Sequence, residues 1–251
     1  MEFGPEIYAL LTIIAFIAGF IDAIAGGGGL LTVPAMLSAG VPPIATLATN
    51  KLQGTFSSAT SAFNFTRKGM VDWRGHWPQV VVILILSAAG AWAVKSIKTD
   101  LLDLIVPVLL IAVAAYVLLS PRMTDEDAHQ RLGKTGYLPV GGAIGFYDGF
   151  FGPGTGSFFA ASLVSLRGFG LTRATAHTKA FNFASNVGSL TVFLIGGNAL
   201  ILLGLCMAIG SASGAWTGSH TAMRFGAKVI RPVLVVVSLA LTAKLLWNAL
   251  G

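Results

Sequence analysis

Charge is what this chain has least of. Asp, Glu, Lys and Arg make up 10% of its 251 residues, well under the share with which a soluble domain keeps its surface wet. Cysteine is almost missing too. The lone Cys206, set among Leu, Met and Ile, excludes an internal disulfide framework and a thiolate metal site. The four histidines stand singly at 76, 129, 177 and 220, and no Ser/His pair recurs beside them. A nucleophile with its base, or a metal-ligand set, therefore finds no material, and the chain is expected to be no enzyme and to need no cofactor. The first residues carry Glu2 and Glu6 where a secretory leader would carry Lys or Arg, and no small-residue cleavage site follows, so the N-terminus is expected to be retained.

What is present instead is apolar sequence. Hydrophobic residues reach 55% and mean hydropathy is +0.79, values that belong to an integral membrane protein. The net charge of +6 is then better read as basic loops at the inner membrane face than as a nucleic-acid surface. Full spans are expected at 77–94, 101–119, 200–216 and 233–250, near the roughly 20 residues that cross the hydrocarbon. The stretches 46–65 and 174–195 are long enough but polar, so they belong inside the bundle, away from lipid.

Two stretches break this scheme. The run 7–25 ends at Gly26-Gly27-Gly28-Gly29 and is followed by a short apolar piece, 30–38; the run 138–151 ends at Gly152-Pro153-Gly154-Thr155-Gly156 and is followed by 157–166. Each reads as a hairpin of two helices around a glycine break. Such a break frees backbone amides, so it is tolerated at membrane depth only where protein or a wet cavity receives it.

The two hairpins belong to a duplication. Gly19 and Gly145, and Asp22 and Asp148, are each 126 residues apart; Lys51 and Lys179 are 128 apart, Gly90-Ala91-Trp92 and Gly214-Ala215-Trp216 are 124 apart, and Pro107 and Pro232 are 125 apart. A near-constant offset held by unlike landmarks points to two homologous halves. The expected fold is an all-α polytopic membrane protein of two inverted repeats, each a broken-helix hairpin plus three crossing helices. Repeat 1 covers 1–121 (hairpin 7–39, helices near 44–66, 76–95 and 100–120). A cytoplasmic linker covers 122–136. Repeat 2 covers 137–251 (hairpin 138–167, helices near 173–196, 199–219 and 231–250).

Inversion predicts opposite charge at equivalent loops. Residues 40–43 carry none, whereas 167–173 carry Arg167 and Arg173; Arg67, Lys68 and Arg74 answer to the uncharged 196–198. With the basic loops inside, Arg122, Arg131, Lys134, Arg224, Lys228 and Arg231 also fall in the cytoplasm, and both termini lie outside the cytoplasmic membrane. Four full spans per half would give parallel repeats, and would place the uncharged loops on the same face as their basic counterparts.

A helix that starts inside a membrane offers unpaired N–H groups and the positive end of its dipole, a setting for an anion. Gly26, Gly27, Gly28 and Gly29, with Gly152, Gly154, Thr155 and Gly156, are the candidate amide cradle. Single membrane glycines usually serve close packing; a run breaks a helix instead. Lys51 and Lys179 either pair with Asp22 or Asp148 or present charge to an anionic substrate. Asn50, Ser57, Asn182 and Asn186 recur with other polar residues at helical spacing below the lysines, able to orient an oxyanion or to bond helix to helix. Asp22 and Asp148 either accept from the freed glycine amides or carry protons. His177 faces Thr49 in the repeat and has no counterpart.

The stretch from Gly19-Phe20-Ile21-Asp22 through Gly26-Gly27-Gly28-Gly29 to Pro34, with Ala48-Thr49-Asn50-Lys51 and Gly152-Pro153-Gly154-Thr155-Gly156, resembles the TauE/SafE sulfite-exporter family over nearly the whole chain. The resemblance implies a small transporter of two related halves, with substrates among sulfite, thiosulfate, sulfoacetate and other organosulfonates. No nucleotide-binding motif occurs, which favours coupling to an ion gradient. The expected function is a secondary transporter of a small anion working by alternating access around a midplane site; an anion channel of the same architecture is the alternative. The expected partners are that anion and the lipid bilayer.

Overall fold

The computed structural model describes residues 3–119, 125–127, 129–226 and 228–229. The helix expected near 231–250, and Arg122 and Arg231, lie outside them. The described residues form helices and no strand: α1 (Pro5–Ala25), α2 (Gly29–Ser38), α3 (Pro43–Arg67), α4 (Trp73–Lys95), α5 (Thr99–Leu119), α6 (Leu138–Phe150), α7 (Thr155–Arg167), α8 (Leu171–Ile195) and α9 (Ile201–Phe225). Local chemistry sets several boundaries. Pro5 and Pro43 occupy first-turn positions, where a missing N–H costs nothing. Asp72 caps α4 by accepting from the Gly75 amide at 2.8 Å, and Gly168 ends α7 in the left-handed conformation, φ 68°.

Among the described residues three helices, α1, α4 and α9, are long and apolar enough to cross a membrane. Their outward faces carry bare apolar side chains, among them Leu10, Ile85, Trp92, Leu202 and Ile209, which a water-facing surface would not leave in such number. By contrast α3 and α8 bury Asn50, Lys51, Gln53, Ser61 and Asn64, and Lys179, Asn182, Ser185 and Ser189. The polar pair is the centre of the bundle; the apolar helices surround it. This is a helical membrane protein.

Small residues set the helix directions. A side chain added at Gly210, Gly214 or Gly218 of α9 would strike the carbonyls of Thr12, Phe16 and Phe20 of α1 in turn. The two numberings rise together, so α1 and α9 run side by side in one direction. Gly145 and Gly149 of α6 abut Ile83 and Ser87 of α4, and Gly90 abuts Phe146, so α4 and α6 are parallel as well. Thr49, Gln53 and Asn64 of α3 meet Leu200, Ser211 and Ser219, which aligns α3 with α9. His177 and Gly188 of α8 meet Asp72 and Leu84, which aligns α8 with α4. Close backbone approach through glycine is how helices gain packing contact where lipid supplies no hydrophobic drive.

Both hairpins return to the end from which they start. Leu11 of α1 and Met36 of α2 share an apolar cluster with Val41 and Leu203, and Tyr137, just before α6, shares one with Leu163 of α7 and Phe169. By length α1 alone would cross the hydrocarbon, about 31 Å at 1.5 Å per residue, yet its chain turns back at Gly26. Its arm exceeds that of α6, 21 residues against 13, because Pro5–Leu11 has no counterpart after the linker. The helix ends that carry Arg67, Arg74, Arg167, Arg173 and Arg224 gather at one end of the bundle, where Gly226 stands beside Asp125 and Thr172 and Asp125 accepts from the Thr172 amide at 2.8 Å.

Candidate functional site

The two glycine breaks touch. A side chain at Gly26 would enter the backbone of Gly156 and Ser157, and one at Gly156 would lie 2.7 Å from the Gly26 Cα; one at Gly29 would sit 3.2 Å from the Pro153 Cα. Gly26 and Gly27 take φ values of 77° and 100°, Gly152 and Gly154 take 99° and 83°, a region that glycine enters freely and other residues do not. So the absence of side chains serves both the turn and the approach of one break to the other.

Each break is held differently. Asp22 Oδ1 accepts from the amides of Gly27 and Gly28 at 3.1 and 3.2 Å, so this carboxylate caps the break one turn beyond its own helix. In the second break Thr155 donates to the Gly152 carbonyl at 2.6 Å and Tyr147 donates to the Pro153 carbonyl at 2.7 Å. Asp148 takes no part in that; its Oδ1 accepts from Lys51 Nζ at 2.8 Å, and its Oδ2 is buried with no partner among the described residues. The lysines cross over between halves. Lys51 pairs with Asp148, and Lys179 pairs with Asp22 at 3.3 Å while also donating to the Asp22 main-chain carbonyl. Both lysines are fully buried. Gly152 makes the first pair possible, since a side chain there would stand 2.7 Å from Lys51 Nζ.

Between the breaks and the polar faces of α3 and α8 lies a cavity of about 50 Å³, lined by Asp22, Gly27, Gly28, Gly29, Asn50, Lys51, Ser57, Asp148, Gly152, Gly154, Thr155, Gly156, Asn182 and Asn186, with Ala18, Gly19, Gln53 and Gly54. That volume holds a few waters or one small anion. Asn50 Oδ1 accepts from Thr32 at 2.7 Å and from Gln53 at 2.9 Å, which leaves its NH₂ group as a donor toward the cavity. Ser57 Oγ and Asn182 Oδ1 are buried without a partner among the described residues, as is Asp148 Oδ2. Buried polar atoms normally find partners. Their concentration around one polar hole marks a place built for a polar occupant.

Of the residues expected from sequence, two stand outside the lining: Gly26, behind its contact with Gly156, and Lys179, held by Asp22. Sequence reasoning missed Ala18, Gly19 and Gly54 as lining. Gly54 lies one turn after Lys51 on the same face, a spacing that signals it. His177 lies away from the cavity, its ring 4.6 Å from that of His76 and its Nε2 accepting from the Asp72 amide at 3.3 Å.

The family model for "Sulfite exporter TauE/SafE" matches residues 11–245. The chain is 49% identical over 242 residues to a probable membrane transporter protein, ORF9, of a Sinorhizobium species, covering 96% of this chain and 93% of that protein. It is 42% identical over 249 residues to the probable membrane transporter protein YfcA of Escherichia coli K12, covering 99% and 93%. It is also 42% identical over 249 residues to a probable membrane transporter protein of Haemophilus influenzae, covering 99% and 98%. No solved structure matches. The chain belongs to the TauE/SafE family of membrane transporters.

Proposed function

We propose that this member of the TauE/SafE family is a secondary transporter of a small oxyanion, with sulfite, thiosulfate or a small organosulfonate as substrate, and that the central cavity is its binding site. The observation that carries this reading is the cavity itself: backbone from both breaks, the Lys51 ammonium and neutral donors from α3 and α8 surround a hole of about 50 Å³. The helix dipoles of α2 and α7 favour negative charge there, while the amides of Gly27 and Gly28 already donate to Asp22 and those of Leu30, Leu31, Thr155 and Ser157 to main-chain carbonyls. Asp148 supplies the coupling group. With one oxygen paired to Lys51 and the other without a partner among the described residues, its pairing changes when an anion draws Lys51 away, which couples the anion to this charge.

The two halves are inverted repeats in this reading, and alternating access is a rocking of one half against the other about the touching breaks. Helix direction supports it: α1, α3 and α9 run one way and α4, α6 and α8 the other, so each of the pairs α1 and α6, α3 and α8, α4 and α9 is antiparallel. The gathering of the basic helix ends at one face supports a cytoplasmic location for that face in the cell membrane and an extracytoplasmic N-terminus. A cavity sized for a ligand of a few atoms suits a carrier better than a pore.

Sulfite, thiosulfate and organosulfonates are first ranked by the thermal stabilisation each gives the purified protein, and the best is then followed into proteoliposomes at two pH gradients. Flux that saturates and follows the pH gradient is expected. Stabilisation by none of these oxyanions would sink the sulfur reading, and rapid currents indifferent to the pH gradient would replace the carrier with a channel.

A further inference from the structure

The basic end of the bundle contains a second cavity, larger than the central one. It measures about 270 Å³ and is lined by Asp72, His76, Asp127, Gln130, Lys134, Arg167, Gly168, Phe169 and Arg173. Two of its three cations have carboxylate partners, Lys134 with Asp72 at 3.6 Å and Arg173 with Asp127 at 3.3 Å. Arg167 has none among the described residues. Its relative exposure is 4%, its Nη1 donates to the Leu132 carbonyl at 2.6 Å, and its Nε is buried without a partner. His76, exposed by only 3%, donates at Nδ1 to the Asp72 carbonyl at 2.9 Å and likewise leaves Nε2 buried and without a partner among the described residues.

A guanidinium that faces a cavity with little exposure and no carboxylate partner among the described residues, helped only by the Phe169 ring 5.5 Å away, gains from an anion that compensates it. The counterpart region of the other half shows that the fold does not require this arrangement. There Val41, Ala45, Leu200, Leu203 and Met207 pack with Leu11 and Met36 in an apolar cluster, filling with side chains what the basic end leaves open. Guanidinium nitrogens are the donors that phosphate-like oxyanions take, the bare Nε2 of His76 is placed to accept from a protonated phosphate oxygen or a bridging water, and the volume admits one such ion with its water.

We propose that this cavity binds a phosphate-class oxyanion through Arg167 and His76, with Arg173 at its mouth, as a second anion site separate from the central cavity. The oxyanion is either free in solution or the phosphate of a lipid headgroup, and both present the same chemistry to Arg167. The site does not depend on the role given to the central cavity.

The test uses the protein carrying Lys51→Gln/Asp148→Asn, which removes the central cation without stranding its carboxylate partner and leaves the basic end intact. Inorganic phosphate is titrated into delipidated protein by calorimetry, and phosphatidylglycerol is added separately and retained lipid counted by native mass spectrometry. Binding in one of these arms is expected, weakened about tenfold or more by adding Arg167→Gln and to a smaller degree by adding Arg173→Gln. Phosphate binding assigns a free ligand and lipid retention a headgroup. Should Arg167→Gln fail to give a monodisperse protein, His76→Ala and Arg173→Gln carry the comparison. The proposal is overturned if neither probe binds, or if binding is the same in every folded variant. Because the central cation is already absent, failure here leaves the oxyanion-transporter reading standing, and failure of that reading leaves this one.

Discussion

Asp22 and Asp148 occupy the same place in the two halves and do different work. Asp22 accepts from two glycine amides and from Lys179, so its negative charge is met from several sides. Among the described residues Asp148 accepts from Lys51 alone, with its second oxygen bare, while Tyr147 and Thr155 hold its break. In the proposed reading the repeated motif is divided into one half that secures geometry and one half that keeps a charge available. Lys51 lines the cavity and Lys179 does not, which repeats the division on the cationic side.

Removing the lysines gives the largest expected effects and tests the division most directly. Lys51→Ala leaves Asp148 with no donor, and breaking a buried pair this way costs about 3–5 kcal/mol; Lys179→Ala costs less, because Asp22 keeps its two amides. Unfolding in detergent measures both. The double variant Lys51→Gln/Asp148→Asn removes the stranded charge, so it should recover much of the stability while weakening oxyanion binding about tenfold or more. Lys179→Gln/Asp22→Asn should bind nearly as the parent does. Equal loss of binding in the two double variants would end the claim that the halves have specialised.

How far this was legible beforehand follows from what each residue reports. The all-helical class, the membrane setting and the two breaks came from composition and from glycine runs, which act locally. The pairing of lysine with aspartate across the halves did not. Both partners were visible, but which carboxylate each lysine meets depends on the parallel packing of α1 with α9 and of α4 with α6. Gly19 shows the same limit. Its Cβ would strike the Ser211 carbonyl, so it packs α1 on α9 as well as bordering the cavity, and its sequence neighbourhood does not separate the two uses. His177 stands only two residues before Lys179, but about 200° of rotation around α8 separates the two side chains, and its ring lies against His76 at the basic end instead.

Glycines sharpen the comparison at intermediate magnitude. Gly156→Ala places a methyl 2.7 Å from the Gly26 Cα, and only separation of the two breaks relieves it, so a loss of about 1–3 kcal/mol is expected. Gly54→Ala meets nothing closer than the Asn186 side chain, 3.3 Å away, which rotates. Stability should hardly change, while the cavity narrows and affinity falls for the larger organosulfonates before it falls for sulfite. Thermal unfolding separates the first variant from the second, and a ranking of ligand affinities tests the second. If Gly54→Ala weakened all oxyanions alike, the cavity wall would not be where the ligand sits.

The smallest expected effect lies outside the bilayer, where Asp72 begins α4 and its counterpart in the other half, Asn198, carries no charge. The Gly75 amide, and then Lys134 and His76, hold the Asp72 carboxyl below its ordinary value, against a smaller opposing push from burial. A depressed folded value means that the contribution is complete above the unfolded carboxylate range and disappears as pH falls through the folded value. Stability should therefore be level from neutral pH down to about 4, then decline more steeply in the parent than in Asp72→Asn, with the two curves meeting in acid. The side chain is about half exposed, so the difference is small and shrinks with salt. Curves that stay parallel through the acid range would show that the cap, and not the charge, is what this loop has and the other lacks.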